Sequence, residues 1–249
     1  RHHHSVLNMH ALIDADTPVI STAIVSEDAT EEIAIARLRM NISSIIEGCS
    51  KIDSFTLYVS GGRNFRKDID PSYKANRTLP DPKYREMLRQ HLIQDWGAVE
   101  CVGYEADDAC GVYQTENTVI VGIDKDLLQV PGYHYSWPIV RKGVVQREAI
   151  WREVSEEQGW RNLFTQCLTG DVIDNIKGIQ GIGPVKAAKI LEDCHTEEEM
   201  YDAVQFWYCS SAMVENPEQE EIRLKNNLDL LYIWRELGIT YSIRKEIYG

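Results

Sequence analysis

The chain has 249 residues, a length that suits one large α/β domain or a core with a small second domain. Its composition, 43% hydrophobic and 26% charged, excludes wholesale disorder. No apolar run approaches the roughly 20 residues of a membrane-spanning helix, so no membrane partner is expected. The formal net charge of −13 argues against a protein that simply coats DNA with positive charge.

The six cysteines are scattered without a CxxC pair. Neither a zinc site nor a disulfide framework is indicated, and we expect a reducing cytoplasmic location, the host cytoplasm if a phage encodes the protein. Residues 1–8 contain three consecutive histidines and are interpreted as the remnant of an affinity tag and linker. Met9 is expected to be the native first residue, and no signal peptide is apparent.

The predicted elements alternate between strands and helices. A buried strand is expected at His10–Ile13, a helix within Glu27–Gly48, and a strand at Phe55–Val59. A helix from about Lys83 to Trp96 and a buried strand at Thr118–Ile123 follow. This alternation predicts an α/β fold with a mostly parallel central sheet, whose ligands gather at the carboxyl ends of the strands. From about residue 160 the pattern changes to short helices.

Acidic side chains cluster where predicted strands end or helices begin. Asp14 and Asp16 follow the first strand two residues apart, which in extended geometry places both on one face. Taken singly, each cluster has an ordinary explanation, because helix caps and strand-end turns favour acidic residues. The other clusters are Glu105, Asp107 and Asp108 at a predicted helix start, Asp124 and Asp126 after a strand, and Asp171 and Asp174 at helical i,i+3 spacing.

Taken together, these carboxylates predict a metal site. Asp14 and Asp124 are expected at the same edge of the parallel sheet, with the helix that starts after Glu105 nearby. Such crowding costs free energy through like-charge repulsion unless cations neutralise it. All-oxygen ligation suits Mg²⁺ or Mn²⁺, and two such ions about 4 Å apart are a common arrangement for phosphodiester hydrolysis.

Positive charge is concentrated in residues 61–92, which carry eight basic and four acidic side chains, a local net charge of +4. Three prolines make this segment a poor core element. It is interpreted either as a solvated face or as a mobile clamp on nucleic acid, with Arg66 and Lys67 among its candidate contacts.

The glycine-rich turn Gly178–Leu191 is the most specific local signal. Gly181 and Gly183 allow a tight turn with bare backbone amides, and Pro184 suits the first turn of a helix. Lys186 and Lys189 follow in that helix. Free amides and lysines predict a phosphate cradle that reads no base sequence, although a plain helix–turn–helix packing corner is the alternative.

Seven short motifs together carry a resemblance to one known family. They are Leu12-Ile13-Asp14, Tyr73-Lys74-Ala75-Asn76-Arg77, Tyr104-Glu105-Ala106-Asp107-Asp108, Ile123-Asp124-Lys125-Asp126, Gly170-Asp171, Asp174-Asn175 and Gly181-Ile182-Gly183. With these motifs in this order, the chain resembles the structure-specific 5′-nucleases, that is flap endonucleases and 5′→3′ exonucleases, especially the compact bacteriophage forms. The resemblance covers Met9 to about Leu191 well and the remainder only loosely.

The resemblance implies roles for individual residues. Lys74 and Arg77 match basic residues at the base of a helical arch that contact the scissile phosphate, and Tyr73 is expected to stack on a terminal base. The glycine turn is similar to a helix–hairpin–helix element that holds duplex DNA and binds K⁺. The residues that resemble metal ligands are Asp14, Glu105, Asp107, Asp108, Asp124 and Asp126, with Asp171 and Asp174 at the more distal metal position.

One departure from the family pattern concerns the end of the second strand. Many members carry a metal-binding aspartate there, whereas this chain has Ser60, Gly61 and Gly62 with no carboxylate. Asp16 is the candidate that compensates, since it is expected to face the same way as Asp14.

The sequence thus predicts a metal-dependent hydrolase of DNA 5′ ends, flaps and junctions that releases 5′-phosphates in replication or repair. We expect two Mg²⁺ or Mn²⁺ ions, a monomer, and replication proteins as partners. The predicted domains are a nuclease core over residues 9–159, with the arch at about 63–96, and a helical helix–hairpin–helix region over 160–249. The alternatives are a nuclease that cleaves RNA or RNA–DNA hybrids and a junction-binding module with a degenerate site.

Overall fold

The computed structural model describes residues 8–210 and 214–249. The predicted tag remnant therefore lies almost wholly outside the described residues. The chain forms two compact units, described separately here. The first, called the sheet unit, comprises the described residues up to Arg63 together with Leu79–Leu127 and Gly132–Glu153. The second, called the helical unit, comprises Asn64–Thr78, Leu128–Pro131 and Val154–Gly249. The predicted domain division at residue 160 stays a prediction.

The sheet unit is built on a six-stranded sheet of order β3-β2-β1-β4-β5-β8. Strand β1 pairs in parallel with both β2 and β4, and β4 pairs in parallel with β5, as the sequence predicts. Strand β4 is buried at every position, because both faces of a parallel sheet are covered. The strands are β1 Met9–Asp14, β2 Ile52–Asn64, β3 Val99–Gly103, β4 Thr118–Val121, β5 Gly132–Ser136 and β8 Ile150–Val154.

Four helices accompany this sheet, namely α1 Asp16–Val25, α2 Glu31–Gly48, α4 Arg85–Trp96 and α5 Ala106–Tyr113. The apolar faces of α1, α2 and α4 join the sheet in one core, in which Leu38, Ile42, Leu88 and Leu92 are fully buried. The single helix predicted within Glu27–Gly48 is confirmed as α2, which begins later because the Thr30 side chain accepts a hydrogen bond from the Ile33 backbone. Helix α1 was not predicted.

A short hairpin, β6 Ile139–Arg141 and β7 Val144–Arg147, extends the same unit. Its turn places Lys142 and Gly143 at φ 50° and 74°, the left-handed region that two-residue hairpin loops require. The sequence analysis did not predict this hairpin.

The helical unit packs its helices around aromatic side chains. Trp160 stacks on Tyr232 with ring centroids 6.3 Å apart, and Phe164 meets Tyr241 edge-on at 6.0 Å. Two strands of two residues, β9 Gly170–Asp171 and β10 Ile176–Lys177, pair antiparallel. The helices are α3 Phe65–Ile69, α6 Glu156–Thr169, α7 Pro184–Leu191, α8 Glu197–Cys209, α9 Pro217–Leu231 and α10 Tyr241–Tyr248.

The state of the cysteines and the apolar character of the helices concern the chain as a whole. All six cysteines are free thiols, in agreement with the absence of a disulfide framework. Within residues 8–210 and 214–249, no helix combines the length and the apolar character needed to cross a bilayer.

Candidate functional site

Asp14 ends β1 and lies at the centre of the carboxylate group in the sheet unit. Its side chain is 7% exposed, and Oδ1 accepts a hydrogen bond of 3.1 Å from the Asp16 backbone. Burial raises the pKa of Asp14 well above its usual value, and the charges of Asp16, Asp124 and Glu105 raise it further. The predicted meeting of carboxylates from three parts of the chain is therefore present in this unit.

Asp16 does not continue the extended strand, which corrects the geometry assumed from the sequence. It begins α1, because Ala15 already takes helical backbone angles, and it lies close to Asp14 by virtue of this turn. The Asp16 carboxylate accepts hydrogen bonds from the backbone and the hydroxyl of Ser60. Burial raises the pKa of Asp16, while the bonds from Ser60 oppose the rise.

Glu105, Asp107 and Asp108 converge at the start of α5, as predicted. Glu105 caps the helix, and Asp108 Oδ2 accepts a hydrogen bond of 3.1 Å from the Glu105 backbone in a reciprocal capping box. One ligand oxygen of each of the three side chains lies within 4.8 Å of the others. The capping role and a metal-binding role are thus compatible, because a carboxylate that bonds the helix end keeps a second oxygen for a cation.

Asp124 and Asp126 follow β4 in a tight turn. The Asp126 backbone donates a hydrogen bond of 2.9 Å to Asp124 Oδ1, and a short 3₁₀ turn, Lys125–Gln129, begins there. This local bond orients the Asp124 carboxylate, whose charge acts on Asp14.

The donor set of the sheet unit fits a hard divalent cation. Every candidate ligand is a carboxylate oxygen, the combination that Mg²⁺ and Mn²⁺ prefer. The raised pKa of Asp14 shows that its charge is poorly compensated by the protein alone. A bound cation would remove this repulsion, so the residues present suit the ion that the sequence predicts.

Asp171 and Asp174 belong to the helical unit and do not lie on a helix, which corrects the expected i,i+3 helical arrangement. Asp171 ends the short strand β9, and its Oδ1 accepts a hydrogen bond of 3.1 Å from the Asp174 backbone. The same three-residue spacing therefore comes from an aspartate-stabilised turn. Gln166 also donates to Asp171 Oδ2 at 2.8 Å.

Asp174 is tied to the basic residues that the sequence assigns to the arch. Arg77 Nη2 lies 2.9 Å from Asp174 Oδ1, and Lys74 Nζ lies 3.9 Å from the same oxygen. The Lys74 backbone, at a φ of 57°, donates to the Asp174 carbonyl at 3.0 Å. Both cations are thus fixed beside a carboxylate of the helical unit, in a geometry held by main-chain and side-chain contacts.

Two residues predicted to contact nucleic acid have buried side chains. Tyr73 is 3% exposed and its hydroxyl donates to Asp174 Oδ2 at 3.3 Å, so its ring is not presented to a terminal base. Arg66 is 2% exposed and donates to the carbonyls of Leu230 and Tyr232 at 2.7 and 2.9 Å. Lys67, its neighbour in α3, is exposed and remains a candidate contact.

The glycine turn has the local structure expected of a helix start. Gly181 takes a φ of 81°, and Gly183 occupies the N-cap of α7 with no side-chain cap. Lys186 and Lys189 are exposed on the first turns of α7. Ile182 between the glycines is buried, so the turn also serves as a packing corner, the alternative left open by the sequence.

Sequence reasoning missed two residues at these sites. Ser60 was treated only as the position of an absent carboxylate, although it bonds Asp16 and the start of α5. Trp207 was not singled out from the sequence, although its ring lies 4.9 Å from Lys186 Nζ. Neither contact has a signal in the sequence, because both join positions far apart along the chain.

Comparison with known proteins gives relatives in sequence and in fold. No protein-family model matches the chain. DNA polymerase I of Rhizobium leguminosarum is 34% identical over 145 residues, which are 53% of this chain and 14% of the polymerase. A 5′-3′ exonuclease of Bacillus subtilis is 30% identical over 159 residues, 57% of this chain and 52% of the exonuclease. The chain thus spans about half the length of the exonuclease and a small part of the polymerase.

Solved structures match over most of the chain. The flap endonuclease of bacteriophage T5, in a complex with DNA and metal ions, superposes with a TM-score of 0.63 at 14% identity, covering 89% of this chain and 88% of that one. The catalytic core of Rad2 with a DNA substrate gives a TM-score of 0.54 at 16% identity, covering 89% and 73%. The fold is therefore shared with the T5 flap endonuclease and with the catalytic core of Rad2. The sequence relatives agree, which confirms the resemblance inferred from the seven motifs.

Proposed function

We propose that the protein is a divalent-metal-dependent 5′→3′ exonuclease and flap endonuclease. Its substrates are DNA 5′ ends, flaps and branched junctions, and its products carry 5′-phosphates. Its place is in DNA replication or repair, in the cytoplasm and as a monomer.

The observation that carries this proposal is the carboxylate group around Asp14. An aspartate whose pKa is raised by burial and, to a lesser extent, by neighbouring carboxylates is unfavourable as a charged group in the metal-free protein. Such an arrangement is typical of a functional site that a cation completes. The fold around it is shared with a flap endonuclease described in complex with DNA and metal ions.

In the sheet unit, the protein's contribution is to fix oxygen ligands. Asp14, Asp124 and the three acidic residues at the start of α5 would hold Mg²⁺ or Mn²⁺. Backbone hydrogen bonds orient Asp14 and Asp124, and a capping box orients Glu105 and Asp108. Two such ions, when bound, supply an activated water and stabilise the attacking and leaving oxygens of a phosphodiester. Asp126, Asp171 and Asp174 are proposed as ligands on the basis of the family resemblance.

In the helical unit, the proposed contribution is DNA binding through phosphates. The exposed lysines of α7 and the uncapped amides at Gly183 suit duplex phosphates, and backbone carbonyls of this turn are proposed to bind K⁺. Lys74 and Arg77 are proposed to contact the scissile phosphate. Their ion pairs with Asp174 support this by holding both side chains in place without full neutralisation.

The test is cleavage of end-labelled duplex, 5′-flap and RNA–DNA substrates with and without Mg²⁺. We expect metal-dependent release of 5′-phosphorylated products from the two DNA substrates. Asp124→Asn should lower the rate by several orders of magnitude while DNA affinity stays within about threefold, because the substitution removes a catalytic charge and no DNA contact. Asp53→Asn, an exposed aspartate on β2, is the matched control and should cleave as the wild type does.

The outcomes separate the competing functions. Faster cleavage of the RNA–DNA hybrid than of either DNA substrate would favour the alternative of primer removal. Tight binding to junctions with no cleavage at any Mg²⁺ or Mn²⁺ concentration would favour a binding module. Near wild-type cleavage by Asp124→Asn would show that the metal assignment is wrong.

A further inference from the structure

Ser60 connects three elements of the sheet unit through hydrogen bonds. Its backbone donates to Asp16 Oδ1 at 2.9 Å, and its hydroxyl donates to Asp16 Oδ2. The same hydroxyl oxygen accepts a hydrogen bond of 2.9 Å from the Ala106 backbone, at the start of α5. One side chain therefore uses both its donor and its acceptor to join β2 to the starts of α1 and α5.

These two helix starts carry the carboxylates of the proposed metal site. The Asp16 backbone donates a hydrogen bond to the Asp14 carboxylate, so the two residues lie side by side. Ala106 lies between Glu105 and Asp107 in the chain. Like charges at these positions repel one another in the metal-free protein, as the electrostatic influence of Asp16 and Glu105 on Asp14 shows. A neutral bridge between the two elements opposes that repulsion without a cation.

The bridge is well suited to fixing geometry. A hydroxyl that donates to a carboxylate forms a charge-assisted bond, which is stronger than a bond between neutral groups. Because the two carboxylate oxygens of Asp16 accept hydrogen bonds from the backbone and the side chain of Ser60, the orientation of the carboxylate plane is fixed. The residue itself is further anchored, since Arg89 Nη1 donates to its carbonyl at 3.5 Å while pairing with Glu86 and Glu100.

We propose that Ser60 is a positioning residue that holds Asp16 and the start of α5 in the arrangement a divalent cation requires, before the cation binds. This inference rests on the proposed function, because it concerns the same carboxylates. It predicts that, without the Ser60 hydroxyl, the carboxylates reach their binding arrangement only when the cation draws them together. Metal affinity should then fall, while the rate at saturating metal should change little.

The experiment measures Mn²⁺ binding to the full chain without DNA, by the loss of the free-ion electron paramagnetic resonance signal. Ser60→Ala should raise the half-saturating Mn²⁺ concentration about tenfold, the effect of one lost charge-assisted hydrogen bond. Ser60→Thr, which keeps the hydroxyl, should bind within about twofold of the wild type. Ser54→Ala is the matched control, because the Ser54 hydroxyl on the same strand bonds His10 and Asp53, neither of which belongs to the proposed metal site.

A second readout separates positioning from a general loss of structure. In flap cleavage, Ser60→Ala should need about tenfold more Mg²⁺ for half-maximal rate but reach a rate within about threefold of the wild type. In the Asp16→Ala background, Ser60→Ala should have a smaller further effect on Mn²⁺ affinity than in the wild type, because part of the action of Ser60 is through Asp16 and the rest through the start of α5. If Ser60→Ala fails to fold, the near-isosteric Ser60→Cys, a weak donor, should show the same loss of affinity.

Several results would overturn the inference. Equal Mn²⁺ affinity of wild type and Ser60→Ala would show that the bridge does not organise the site. Equal losses in Ser60→Ala and Ser60→Thr would point to strand packing in place of the hydroxyl. A wild-type protein that binds no Mn²⁺ and cleaves no DNA would instead refute the proposed function, and this inference with it.

Discussion

The buried Arg66 of α3 allows a test of whether a basic residue of this chain stabilises the fold or binds DNA. The Arg66 guanidinium donates to the Leu230 and Tyr232 carbonyls, and it packs 4.6 Å from the Phe65 ring. In Arg66→Ala, both carbonyls lose a buried partner, at about 1–3 kcal/mol each. We therefore expect the free energy of unfolding to fall by about 3 kcal/mol or more, which lowers Tm by on the order of 10 °C.

The assay pairs thermal unfolding by circular dichroism with anisotropy of a labelled 5′-flap DNA. Lys67→Ala is the matched control, because Lys67 is exposed in the same short helix. It should leave Tm unchanged, and if Lys67 contacts a phosphate it should reduce the salt slope of DNA binding by about one. If Arg66→Ala melts like the wild type but loses DNA affinity with a smaller salt slope, the reasoning from burial is refuted.

Three further predictions concern the carboxylates, the glycine turn and the arch. Asp14→Asn should abolish cleavage yet raise the Tm of the metal-free protein at neutral pH. The reason is that the pKa of Asp14 in the folded protein lies above its ordinary value of 3.8, so the charged side chain opposes folding. This gain should shrink as pH falls through the folded pKa and vanish below 3.8, which melting curves across pH would show. Gly183→Val should keep the wild-type Tm, because the Gly183 backbone is extended and no atom lies where the new side chain would begin, but it should weaken duplex binding measured by anisotropy. Gly181→Ala should lower the free energy of unfolding in urea by about 1 kcal/mol, because Gly181 has a φ of 81°. Lys74→Ala should lower the single-turnover cleavage rate about 10²-fold and DNA affinity much less; normal cleavage at saturating DNA would remove the catalytic role.

The parts of the fold that follow from the sequence are those with a dense local signal. Thr118–Val121 is a run of β-branched residues, and it forms a fully buried central strand. Because parallel strands end at one edge, this strand and β1 bring Asp14 and Asp124 together, as expected. The proximity of Asp14 and Asp124 follows from the parallel strands, whereas Glu105, Asp107 and Asp108 are supplied by the start of α5.

The errors arise where a contact joins distant positions or where one spacing suits two structures. Arg66 lies in a polar, basic segment, and only its carbonyl partners, more than 160 residues further along the chain, show that it is buried. Asp171 and Asp174 have a spacing that suits a helix and a side-chain-stabilised turn equally well. In both cases the deciding interaction is a hydrogen bond that periodicity does not encode.

The two units are interleaved along the chain, and this has a consequence for how the protein is made and divided. The helical unit needs Asn64–Thr78 and Leu128–Pro131 as well as the long stretch from Val154 onward. A fragment that stops near residue 154 would thus contain two pieces of a unit whose remainder is missing. During synthesis, Arg66 in the first piece cannot bond the Leu230 and Tyr232 carbonyls until those residues emerge, 164 and 166 residues later, which favours slow completion and aggregation-prone nascent chains. Exchange of one unit between relatives by a single crossover would break both, so the chain is expected to evolve and to be engineered as a whole.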